Sequence, residues 1–135
     1  MNADGLTTYH FAVLKVVPHP HLGACVNVGV IVHARTAEYL AMRAVTDASA
    51  PRALAPDVDA DMLARYLECL EAITRGDPSA GPVALVPTSE RFHWLTAPRS
   101  DVIQSSPVHE GLTDAPERVL DELFATLVRP PIHPG

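Results

Sequence analysis

The chain has 135 residues, is 47% hydrophobic, and carries 16 acidic against 10 basic side chains for a formal net charge of −6. One length-typical domain with a real core fits these numbers, and a disordered chain does not. The charge balance argues against nonspecific nucleic-acid binding, which needs clustered Lys and Arg to displace counterions. Lys15 is the sole lysine and the nine arginines are scattered.

Thr8 to Val17 is rich in aromatic and β-branched residues and predicts a strand. Pro18 to Gly23 predicts a turn. Cys25 to Ala34 predicts the second strand, with Val26, Val28, Val30 and Val32 as an unbroken apolar face directed at the helices. Its other face carries Cys25, Asn27, Gly29, Ile31 and His33. Arg35 to Glu38 is a turn, and Tyr39 to Val45 a third strand. Such short connections favour an antiparallel meander.

Asp47 to Asp59 is a proline-punctuated loop. Ala60 to Arg75 is an amphipathic helix, because Met62, Leu63, Tyr66, Leu67, Leu70 and Ile73 recur at helical spacing. Asp57, Asp59 and Asp61 suit its N-terminus, and Gly76 its end. Val83 to Val86 predicts a short edge strand. Ser89 is expected to cap a short helix through Leu95, broken by Ala97-Pro98. Val102 to Val108 predicts a fourth strand that Pro107 confines to an edge or bulge. Asp114 and Glu117 resemble a capping pair for a last helix over Pro116 to Val128. The order implies an α+β fold: a mostly antiparallel sheet of about four strands with helices packed on one face. Residues 8–129 are expected to form the domain, with 1–7 and 130–135 as flexible ends.

Two cysteines, Cys25 and Cys69, are too few for a disulfide framework and read as buried thiols of a cytoplasmic protein. No apolar run reaches the roughly 20 residues that span a bilayer, so no membrane association is expected.

The candidate chemistry lies in Phe92 to His109, which holds the only tryptophan, Trp94, and a dense set of polar side chains. Polar groups beside a core must pair with each other or serve a ligand or partner. Arg99 follows the Ala97-Pro98 break. It reads either as a bidentate clamp for a carboxylate or phosphate, or as a structural partner of an acid such as Glu90 or Asp101 or of loop carbonyls. Gln104 and His109 could extend such a site. Asn27 reads either as the floor of a ligand site or as a tie to a bulge or crossing loop. Ser105 or Ser106 with His109 imitates a nucleophile and base, but lacks the surrounding nucleophile-elbow glycines. His19, His21, Cys25 and His33 match no standard metal-ligand spacing. No cofactor motif is present, so none is expected.

Three separated motifs carry a family resemblance. They are Phe11-Ala12-Val13-Leu14-Lys15-Val16-Val17-Pro18, then Val26-Asn27-Val28-Gly29-Val30-Ile31-Val32, then Ser89 through Ser100. With Val102 to His109, they resemble the bacterial family of unknown function designated DUF3037, from about Tyr9 to Val128. The resemblance implies a small stand-alone protein encoded beside a kinase-like protein similar to HipA, and hence a partner role. It implies no catalytic residue. Two functions compete: an accessory protein-binding module docking through the exposed sheet face and Trp94–His109, or a ligand binder or enzyme using Asn27, Arg99, Gln104 and His109.

Overall fold

The computed structural model describes residues 5–19, 24–45, 59–98 and 103–128. Of the predicted turn, Pro18 and His19 belong to the first strand, while residues 20–23, most of the predicted 47–59 loop, Arg99 and residues 129–135 lie outside the described ones. Alternating apolar residues build the long antiparallel pair β1 (Thr7–His19) and β2 (Ala24–Ala34). The Arg35–Glu38 turn leads to β3 (Tyr39–Ala44), antiparallel to β2. Glu38 takes φ +50° there, and its N–H donates to the Arg35 carbonyl at 3.0 Å.

The free side of β1 pairs with two short strands placed end to end, β4 (Ile103–Ser105) and β5 (His109–Thr113). They replace the single predicted fourth strand. Pro107, which has no N–H, falls in the break between them. Ser106 holds that break to β1. Its N–H donates to the Val13 carbonyl at 2.8 Å, and its Oγ accepts the Val13 N–H at 2.9 Å.

Helix α1 (Ala60–Arg75) occupies the predicted span. The Asp59 carboxylate accepts the Met62 N–H at 3.0 Å, and Gly76 closes the helix at φ +72°. Two 3₁₀ turns follow, Pro78–Ala80 and Pro82–Leu85. The second stands where an edge strand was predicted. Pro82 stands at the start of that turn, where its fixed φ suits a helical conformation. Helix α2 (Thr88–Thr96) begins with Pro87 as its N-cap residue, so Ser89 lies inside the helix and does not cap it. Helix α3 (Pro116–Leu123) widens into π geometry over Phe124–Val128. Its predicted capping pair does not form. Ala115 is the N-cap residue, and Asp114 instead pairs with Arg118 Nη2 at 2.6 Å.

The α+β class and antiparallel sheet agree with the sequence. The covering of the sheet has a second component. Leu14, Val16, Val28, Ile31 and Met42 pack with Leu63, Leu67, Leu70 and Ile73 of α1 and Phe92 and Leu95 of α2. Val30 and Val32 pack with Val119 and Leu120 of α3. Neighbours Ile31 and Val32 point to opposite faces, so α1 and α2 lie on a first face and α3 on a second. Arg43 fastens α3, with Nη1 2.8 Å from Asp121 Oδ1 and its guanidinium 4.6 Å from the Phe124 ring centre.

A β-bulge explains why the valines do not share one face. Leu14 pairs with Gly29 and Lys15 with Asn27, leaving Val28 as an extra residue. Val26 and Val28 consequently face α1 and α2, while Val30 and Val32 face α3. Gly29 suits the position, since a Cβ there would meet the Arg43 carbonyl oxygen at 3.2 Å. Both cysteines are exposed, against expectation. Cys69 falls on the outer side of α1, between the inward Leu67 and Leu70.

Candidate functional site

The second face collects most of the polar residues singled out by the sequence. Asn27 of β2, Lys15 of β1 and Gln104 of β4 form one cross-strand row. Asn27 Nδ2 donates to the Leu127 carbonyl at 2.9 Å, joining the bulged strand to the end of the π segment. Replacing Asn27 with Asp would set a carboxylate against that carbonyl. A loss of about 1–3 kcal/mol is expected, read as a lower Tm at pH 7; an unchanged Tm would mean that the bond is not made.

His109 pairs with Phe11, four residues along β1 from Lys15, or about 13 Å at strand rise. Its ring centre is 5.1 Å from that of Phe11, which stacks in turn with Tyr9. Trp94 belongs to α2, on the other face of the sheet, and is 36% exposed. Arg99 lies outside the described residues. Neither serine is hydrogen-bonded to His109. Ser105 Oγ donates to the Ser106 carbonyl at 3.0 Å, and Ser106 Oγ donates to the Pro107 carbonyl at 2.9 Å.

The first face holds a cluster that sequence spacing missed. Register places His10 of β1 directly opposite His33 of β2. His33 is 5% exposed, and the Phe92 ring of α2 stacks on it at 5.0 Å. Ser89 Oγ of α2 lies 3.5 Å from His33 Nε2, at the limit of a hydrogen bond. On the outer side, His10 Nε2 lies 3.1 Å from Glu110 Oε2 of β5. Burial holds the His33 imidazole below the usual histidine range, and the nearby His10, His93 and Arg35 push the same way. His33 is therefore a neutral, packed imidazole near pH 7. Among the described residues, no three His, Cys, Asp or Glu side chains are placed to hold a metal ion. Cross-strand register, not local spacing, brings these histidines together, so only the correct pairing of β1 with β2 reveals them.

A family model described as "Protein of unknown function (DUF3037)" matches residues 11–128. The chain belongs to the DUF3037 family. No curated protein and no solved structure matches it. In this DUF3037 chain the matched span runs from Phe11 to the end of the π segment. It takes in the bulge, His33 of the histidine pair and the broken edge strand. No described helix is long and apolar enough to cross a membrane.

Proposed function

We propose that this DUF3037 protein is an accessory module that binds a protein partner along strand β5. The observation that carries the reading is the state of that edge. β5 pairs with β1 on one side, and no described strand pairs with its other side. Leu112 is 59% exposed, and Val108 just before the strand 46%. An unpaired strand edge is a template for an added strand, and alternating side chains then set specificity. Exposed Leu112 and acidic Glu110 lie two residues apart on one face. They fit an extended segment that presents an apolar and a basic side chain opposite them. Internal bonding of Asn27, Ser105 and Ser106 supports the same reading, because those polar groups are already engaged within the fold. The partner implied by the family resemblance is a HipA-like kinase, and a cytoplasmic location suits that pairing.

The test is Leu112→Asp, titrated beside the wild-type protein against a HipA-like kinase from the same host, by isothermal calorimetry. Leu112 is exposed, so the Tm should stay within about 2 °C for so small a stability change. Affinity should fall at least about tenfold, the effect of losing ~1.4 kcal/mol. Unchanged affinity would remove β5 as the contact. No binding by wild type at tens of micromolar would remove this partner.

A further inference from the structure

We infer that His33, with Phe92 and Ser89 of α2 set against it, is a pH-responsive latch, holding α2 on the sheet at neutral pH and releasing it in mildly acidic solution. Two of the links between α2 and β2 converge on one imidazole: the Phe92 ring stacks on His33, and Ser89 Oγ approaches its Nε2. A neutral ring tolerates this buried position, whereas a charged one requires hydration or an acidic partner.

Among the described residues, the surrounding groups offer no such partner. From β1 comes His10, from α2 His93, and from the turn after β2 Arg35, and each acts against a charge on His33. Across the ladder from β3 stands uncharged Leu40. The acid of this neighbourhood, Glu110 of β5, is bonded to His10. His10 stands directly opposite His33 in the ladder and disfavours a charge there.

The sign follows from linkage. His33 titrates lower in the folded protein than its ordinary value of 6.5. Its contribution to holding α2 is complete above pH 6.5. It is lost as pH falls through the lower folded value, because only the opened state takes the proton easily. Helix α2 is short, and besides its core contacts Arg91 Nη1 ties it to α1 by donating to the Ile73 and Thr74 carbonyls at 3.1 Å. It has nine residues, no side-chain cap at its N-terminus, and a stop at Ala97-Pro98. Trp94 on the same helix reports its position.

The experiment is a titration of the whole protein from pH 8 to 4.5, following Trp94 emission and far-UV circular dichroism. A sigmoidal emission change with midpoint below 6.5 is expected, with most of the dichroism retained. His33→Phe keeps an aromatic ring under Phe92 and should abolish the transition. His93→Gln controls for direct quenching of Trp94 by its charged neighbour and should retain it. Nuclear magnetic resonance of the His33 ring in the wild-type protein is an independent reading that needs no variant. Its titration should fall below 6.5 and coincide with the Trp94 change. The latch is overturned by a transition that persists in His33→Phe or vanishes in His93→Gln. It is equally overturned by no change down to pH 4.5, by loss of all dichroism in the same step, or by a His33 ring titrating at or above 6.5.

Discussion

Replacing Ile31 with alanine is expected to lower the free energy of unfolding by about 2–5 kcal/mol, and replacing Leu120 with alanine by a similar amount. The two losses should add. Ile31 is completely buried in the middle of β2 and among the largest such side chains, in contact with the α1 and α2 layer. Truncation there removes apolar burial and leaves a void that a central strand cannot collapse to fill. Leu120 anchors α3 on the opposite face, in a cluster sharing no member with that of Ile31. Side chains without common partners couple by less than roughly 0.5 kcal/mol. Urea unfolding of both single variants and the double measures the coupling. Should the double variant be too unstable for a native baseline, Ile31→Val, costing about 0.5–1.5 kcal/mol, takes the place of Ile31→Ala. Coupling above about 1 kcal/mol would mean that the sheet transmits packing strain and that the molecule has one core rather than two.

That two-sided arrangement marks the boundary of what the sequence made legible. Helix α1 was readable to the residue because its apolar spacing, Asp59 and Gly76 agree at every level. The β1–β2–β3 meander was equally plain. The bulge was not, because a valine at every second position looks the same whether or not the register slips by one residue. Gly29 was the local hint, since a strand-interior glycine often marks a bulge. Strand β5 was hidden for a different reason. His109-Glu110-Gly111-Leu112-Thr113 lacks a β-branched alternation and takes its conformation from pairing with β1. Of the candidate residues the sequence singles out, Asn27, Gln104 and His109 share the second face, α2 carries Trp94 to the first, and Arg99 lies outside the described residues. The pairing of His10 with His33 depends on register across a strand connection, which local spacing cannot encode.

Gly111→Val supplies the sharpest test of the β5 register, because two general effects predict opposite signs. Valine favours strands, so on an exposed edge it would stabilise by up to about 1 kcal/mol. Register, however, sets Gly111 opposite Tyr9, and a Cβ built there lies 2.5 Å from the ring carbon Cζ and the phenolic oxygen. The Tyr9 ring covers the glycine and would have to swing away, disturbing its stack on Phe11 and its packing against the α3-side cluster. Overpacking of this kind costs about 1–3 kcal/mol, and it should prevail. Gly111→Val is therefore expected to destabilise the wild-type protein. In a Tyr9→Ala background the obstacle is gone, strand preference acts alone, and the same substitution should become neutral or stabilising. Thermal or urea unfolding of the four proteins in this cycle decides the matter. Destabilisation of equal size in both backgrounds would show that Tyr9 does not lie over Gly111, and would undo both the β1–β5 register and the edge on which the proposed partner strand depends.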